Sequence, residues 1–159
     1  MTVQKLGEVV FGMDEVITEW VCRRIPYSAP MPGDRALGVY RDGRIIAGVV
    51  YQAQNPANIM ASIAAIPQSG WASRRTLHAL FFYPYVTLGC PRITTCIAQT
   101  NGLSLKLAIS MGFQPEAILE RAAHDGSNLV VLKMFKENCI WIENHEQRRR
   151  QRTEITGPE

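Results

Sequence analysis

The segment Ile63–Arg75, IAAIPQSGWASRR, holds the residue types best suited to chemistry. An apolar run breaks at Pro67. Gly70 and the small Ala72 follow, and then a helical pattern with Arg74 and Arg75 in its first turns. A helix N-terminus presents N–H groups without intrahelical partners at the positive end of the helix dipole, so it attracts anions. Gly70 and Ala72 would let the backbone approach a phosphate closely. The segment is not a P-loop, because GxxxxGKS and GxxxxGKT are absent. It is not a dinucleotide fingerprint either, because GxGxxG is absent. The plain alternative is an ordinary strand-to-helix turn. A second segment, Asn101 to Phe113, reads as a capped helix: Asn101 opens it, Gly112 closes it and Phe113 anchors it.

Other residues with chemistry to offer are scattered. His78 sits in a helical pattern beside Arg74 and Arg75 and reads as surface. His124 sits in a turn and reads as exposed, and His145 lies far from both. Cys22, Cys90, Cys96 and Cys139 form no CxxC pair, so no zinc site is expected, and the thiols read as small apolar groups in a reducing compartment.

Strands and helices must position these groups. Met13 to Ile25 carries Val16, Ile17, Trp20, Val21 and Ile25 on one helical face, with Asp14 and Glu15 first, Arg23 and Arg24 last, and Pro26 as a stop. A loop rich in proline, Pro26 to Asp34, follows. Ala36–Tyr40 and Arg44–Gln52 flank Asp42-Gly43, which predicts a hairpin. Ile59 to Ile66 is a third strand. Trp71 to Leu88 reads as a helix burying Ala72, Leu77, Leu80, Phe81 and Val86, kinked or ended near Phe82 by Pro84. Arg92–Ala98 is a strand and Asn101 to Met111 a helix. Ala117–Ala122 and Leu129–Met134 form a second hairpin, and Trp141 caps the core. The order gives an α/β (α+β) domain with a mixed, mostly antiparallel sheet flanked by helices.

Composition bounds the rest. At 159 residues one domain is expected, over 1–142, with a polar arginine-rich tail over 143–159. A hydrophobic share of 47% against 19% charged residues excludes wholesale disorder. No run approaches ~20 apolar residues, so no membrane-spanning helix is expected, and the start MTVQKLGEVVFGMDE does not read as a secretion signal. The net charge is +3. Arg148, Arg149, Arg150 and Arg152 against Glu154 and Glu159 give the tail +4 − 2 = +2, which leaves the body near +1. Charge alone therefore does not mark a nucleic-acid surface.

In combination, the two segments resemble the GNAT superfamily of acyl-CoA N-acyltransferases. That family has a Q/R-x-x-G-x-G/A loop for the coenzyme A pyrophosphate and a later N-x-x-(S/A)…G-F helix. Here the first reads Gln68-Ser69-Gly70-Trp71-Ala72, one residue short before its glycine. The second reads Asn101, Ser104, Gly112 and Phe113, followed by Ile118-Leu119-Glu120-Arg121 and Val130-Val131-Leu132-Lys133-Met134. The likeness runs from about Ala36 to Trp141. It is nearest to ribosomal-protein N-acetyltransferases and to small GNAT-like proteins of bacteriophages.

The resemblance implies central strands that splay apart to admit acyl-pantetheine, with Ile59–Ile66 as the fourth strand and Ala61, Ser62, Ala64 and Ala65 as its wall. It implies acetyl-CoA as cofactor, held by Ala65, Ile66, Gln68, Ser69, Gly70, Trp71, Ala72, Ser73, Arg74, Arg75, Asn101 and Ser104. It implies an amine acceptor and a cytoplasmic setting in a bacterial or phage-infected cell, with a homodimer as one arrangement. Transfer to an amine needs a neutral nitrogen, a polarised carbonyl and a proton for the leaving thiolate. A lysine-type amine is only about 0.04% neutral at pH 7. A backbone N–H of the fourth strand can polarise the carbonyl. The family's usual Tyr acid is replaced here by Ala108, and the fourth strand has no Glu base. Ser104, Tyr51 and Ser62 are the substitutes to test.

Two other functions compete. One is a GNAT-fold assembly or interaction protein without turnover, leaning on the aromatic run Phe81-Phe82-Tyr83-Pro84-Tyr85. The other is a nucleic-acid modification factor, leaning on the arginine-rich tail.

Overall fold

The computed structural model describes residues 7–143, so His145 and the arginine-rich tail lie outside the described residues. A short strand, β1 (Glu8–Val10), precedes the first helix and is too brief for an alternating pattern to announce. Helix α1 spans Asp14–Cys22, shorter than the periodicity predicts. Ile17 and Val21 are buried, but Val16 is exposed. Arg23 and Arg24 fall just past the last turn. There Arg23 pairs with Glu19, and the Arg24 guanidinium lies 3.6 Å from the centre of the Trp20 ring.

Asp42 and Gly43 take φ of +50° and +74°, the two left-handed residues that a tight hairpin turn requires. They join β2 (Arg35–Arg41) to β3 (Arg44–Gln52), and β4 (Ile59–Ala65) continues antiparallel. Helix α2 spans Arg74–Phe82 rather than starting at Trp71, because Ser73 is the cap: its Oγ accepts the Thr76 N–H at 3.2 Å. Pro84 ends the α-helix at Phe82, and the chain then makes one π-helical turn over Tyr83–Thr87. Ala72 and Val86 are exposed, contrary to the pattern. Phe81, Pro84 and Tyr85 are buried, so most of the aromatic run is core rather than an interface.

Strand β5 (Arg92–Ala98) leads to α3 (Gly102–Met111), which is closed by Gly112 at φ +110°. Edge strand β6 (Gln114–Leu119) starts earlier in the sequence than predicted and is exposed throughout. Strand β7 (Leu129–Phe135) sits inside it.

The seven strands run in the order β1-β2-β3-β4-β5-β7-β6. All neighbours are antiparallel except β4 and β5. Helix α1 covers one face, where Ile17 and Val21 pack on Ala36, Val50 and Ala64. Gly48 admits it: a Cβ there would stand 2.7 Å from Val21 Cγ2. Helices α2 and α3 serve the opposite face, placing Leu77, Leu80, Phe81, Ala108 and Met111 against Leu37, Val49, Ile93 and Leu132. Trp141 closes this core by donating Nε1–H to the Met111 carbonyl at 2.8 Å. Among the described residues, no helix is long and apolar enough to cross a membrane.

Two buried phenols make the fold sensitive to alkali. Tyr51 donates to the Leu80 carbonyl at 2.5 Å and Tyr85 to the Met134 carbonyl at 2.7 Å. Burial raises both above the ordinary tyrosine value, helped at Tyr51 by Tyr83 and at Tyr85 by Cys139 and Glu137. An unfolded tyrosine ionises near pH 10, about where the folded phenols still hold their protons. Their contribution is therefore complete below pH ~10 and is lost as pH rises further. Urea unfolding from pH 8 to 11 is expected to show a flat midpoint followed by a fall. Tyr51→Phe should soften that fall.

Candidate functional site

The site begins where a sheet stops. Strands β4 and β5 pair only at Ile59↔Ile93 and Met60↔Thr94, although β4 continues to Ala65 and β5 to Ala98. Beyond Met60 the two parallel strands part. The Ile66 N–H donates to the Ile46 carbonyl at 2.8 Å, on the β3 side. Strand alternation then directs the N–H and C=O of Ala65 and Ile63 away from β3, toward the gap. The pleat also sorts the side chains. Ala64 packs under α1, so Ser62 shares that face, while Ala61, Ile63 and Ala65 face α2 and α3. On β5, Ile93 belongs to the α2–α3 core, which puts Thr95 and Ile97 on that face and Cys96 on the α1 face.

The gap is a groove of about 990 Å³. One wall is β4 with the loop Ile66–Ala72, and the other is β5 with Asn101, Ser104, Leu107 and Ala108 of α3. Asn101 holds the start of α3 by accepting the Ser104 N–H at 3.2 Å, which sets Ser104 against the groove.

The loop after β4 is shaped by left-handed residues, Gln68 at φ +60° and Gly70 at φ +65°. Ser69 donates its N–H to the Ile66 carbonyl and Ser73 to the Trp71 carbonyl. Within the described residues no hydrogen bond takes the N–H groups of Gly70, Trp71 or Ala72. The Ser69 Oγ is buried and also lacks a partner. Consecutive free N–H donors with an orphaned hydroxyl make a cradle for an anion. A Cβ on Gly70 would meet nothing within 4 Å, so only its backbone conformation demands glycine. Gly70→Val is therefore expected to cost about 1–2 kcal/mol through φ alone. It should also weaken anion binding by re-aiming the loop. Denaturant melts and a titration with coenzyme A check the two effects separately.

Most of the residues singled out from sequence meet here: Ser62, Ala65, Ile66, Gln68, Ser69, Gly70, Trp71, Ala72, Asn101 and Ser104 all line the groove. Four do not. Ser73 is spent on capping α2, and Arg74 and Arg75 are exposed on its first turn. Tyr51 is buried with its hydroxyl held by Leu80, so it faces the core rather than the groove.

Three lining residues gain significance from the structure. Cys96 is exposed rather than packed like the other three cysteines. The alternation in RITTCIA, which buries Ile93, is the signal that would have found it. His124 is exposed but lines the groove, and Tyr27 reaches it from the loop after α1. His78 is on the surface, bonded through Nδ1 to the Trp141 carbonyl at 2.8 Å. Among the described residues no three His, Cys, Asp or Glu side chains gather as a metal site.

Comparison with solved structures places this architecture. The spermidine/spermine N-acetyltransferase SpeG from Vibrio cholerae superposes with a TM-score of 0.66 at 12% identity, covering 83% of this chain and 94% of that one. The chain has the GNAT fold. A protein from T. thermophilus described as an acetyltransferase gives a TM-score of 0.57 at 18% identity over 68% of this chain. This chain spans 62% of that protein's length. No protein-family model matches the sequence, and no curated protein does. The parted central strands expected of the GNAT fold are those that separate after Met60 and Thr94.

Proposed function

We propose that this chain is an acetyl-CoA-dependent N-acetyltransferase that moves an acetyl group to an amine of a protein, a small molecule or a modified base. The observation that carries the reading is the gap between β4 and β5, which leaves one edge of β4 unpaired and ends at a loop with free N–H donors. Acetyl-CoA fits such a site. The N–H groups of Gly70, Trp71 and Ala72 with the Ser69 hydroxyl would hold its diphosphate, and β4 backbone groups at Ile63 and Ala65 would bind its pantetheine like an added strand. Bound there, acetyl-CoA supplies an acyl group activated as a thioester.

The chain's own groups supply the remainder. A β4 N–H facing the gap polarises a carbonyl without any side chain. Ser104, on the α3 wall, would relay a proton from solvent to a departing thiolate, and Ser62, on the face that α1 covers, would hold a water. Proximity and alignment between the parted strands lower the barrier further.

A thermal-shift titration tests the reading. Acetyl-CoA at about 100 Kd should stabilise the chain by about 2.7 kcal/mol, or roughly 5–10 °C at this size. No shift at millimolar ligand would remove the proposal. Coenzyme binding without turnover is the second reading. It is favoured by Ala108 on the groove wall, where the resemblance puts a Tyr, and by the withdrawal of Tyr51 into the core. A shift with coenzyme A but no thiol release against an amine panel would select it.

A further inference from the structure

We propose that the groove admits its acceptor only as a neutral molecule, so that the substrate class is the weakly basic amines, arylamines above all, rather than alkylamines or polyamines. The inference rests on the acetyltransferase reading of the same groove and names its substrate class.

The wall carries no charge that could receive a cation. Residues 43–115 supply β3, β4, α2, β5 and α3, and that stretch contains no Asp or Glu. Its basic residues, Arg44, Arg74, Arg75, Arg92 and Lys106, stay off the lining as well. The rest of the lining comes from residues 25–27 after α1, residues 122–124 in the turn between β6 and β7, and Leu129 of β7. None of these is a carboxylate, lysine or arginine. Among the described residues the lining therefore holds three titratable side chains, Tyr27, Cys96 and His124. Burial pushes the Cys96 thiol up, which keeps it protonated. A phenol ordinarily ionises only well above neutral pH, and an imidazole is neutral or positive.

Carboxylates near the groove are occupied or turned elsewhere. Asp125 follows His124, but it accepts hydrogen bonds from the Ser127 hydroxyl and N–H and from the Thr100 hydroxyl. Glu116 pairs with Arg92 and Lys133, and Glu19 on α1 pairs with Arg23. Glu120, two residues before Ala122, is exposed and off the wall.

An ammonium ion enters a protein groove where carboxylates or other acceptors replace the water it loses. Alanine, isoleucine and leucine make up much of this wall, a surface that suits a ring better than an ion. Only the neutral form of an amine is then bound. At pH 7 that form is about 0.04% of a lysine-type alkylamine and roughly 10–15% of a peptide α-amine. An arylamine shares its lone pair with the ring and is neutral already. The chemistry agrees with the wall. With no Asp or Glu on it, the wall has no carboxylate to strip an ammonium proton, and a neutral nitrogen needs none removed before it attacks. Its lone pair bonds to the acyl carbon, and the carbon–sulfur bond breaks with its electron pair going to sulfur. Nitrogen then sheds one proton to solvent and the thiolate takes up one, so atoms and charge balance.

The test uses the full chain. Coenzyme A binding is read by calorimetry, and thiol release from acetyl-CoA is followed with aniline, a dipeptide amide and spermidine between pH 6 and 8.5. Aniline is expected to saturate with the same KM at every pH. For the dipeptide amide, KM should fall by roughly tenfold per pH unit below the α-amine's own pKa, with kcat steady within about twofold. Spermidine at pH 7 should not saturate at all. Two compounds without a transferable N–H separate charge from shape: N,N-dimethylaniline should compete with aniline, and phenyltrimethylammonium should not at about ten times the concentration.

A spermidine KM at pH 7 below that of aniline would show a bound cation and overturn the inference, with the acetyltransferase reading intact. So would a dipeptide KM that stays flat while kcat climbs with pH, or equal competition by the two aniline derivatives. Coenzyme A binding without thiol release to any of the amines would also overturn it. A chain that binds no coenzyme A removes the acetyltransferase reading, and this inference with it.

Discussion

Replacing Ser104 with tryptophan is expected to abolish coenzyme A binding while leaving the chain folded. Ser104 lies in the first turn of α3 and is only half-buried, against the groove rather than inside the α2–α3 core. An indole placed there would occupy the space between the parted strands that the proposed pantetheine would take. The helix itself is held by the Asn101 cap and by the burial of Ala108 and Met111. The cap accepts the Ser104 backbone N–H, which any residue retains. We expect at least a hundredfold loss of affinity, about 2.7 kcal/mol, with a melting temperature within a few degrees of wild type. Calorimetric titration and a melt of the same sample decide it. Unchanged affinity in a folded variant would place the coenzyme elsewhere.

The second large effect is on the framework. Phe81→Ala is expected to cost about 3–5 kcal/mol, because it empties a fully buried ring site that backbone collapse cannot refill. The Phe81 ring stacks on Tyr85 at 6.4 Å and tilts against Phe113 at 6.1 Å. It therefore ties α2 both to the π turn and to the residue that follows α3. At about 2–4 °C per kcal/mol the melting temperature should fall by roughly 6–20 °C. Because α2 carries the loop Ile66–Ala72 at its front, coenzyme A should recover part of that loss in a titrated melt. A cost below about 1 kcal/mol in urea would mean the ring is not the tie between these elements.

The sequence showed the framework through strong local chemistry. Asp42-Gly43 fixed the first hairpin because only left-handed residues make that turn. Asn101 and Gly112 fixed α3 because cap and terminus are both local effects. Errors arose where tertiary context decides. The pattern puts Trp71 inside a helix, but its ring is buried in the core and Ser73 is the better cap, so α2 starts at Arg74. Arg74 and Arg75 therefore open the helix itself, exposed on its first turn. Tyr51 alternates correctly along β3, yet alternation does not show that its hydroxyl is taken up inside the core by the Leu80 carbonyl.

Tyr27 and His124 were least legible of all. They lie far apart in sequence in two turns, and only the folded sheet brings their rings together. No local pattern encodes that meeting.

The backbone amides give the most direct measurement of whether a thioester carrier lies between β4 and β5. In a 15N-labelled chain titrated with acetyl-CoA, the resonances of Ile63, Ala65, Gly70, Trp71 and Ala72 should shift together in one saturable process. The amides of β1 and β2, at the far edge of the sheet, should stay in place. Saturable shifts confined to other parts of the chain, with these five amides unmoved, would contradict the account.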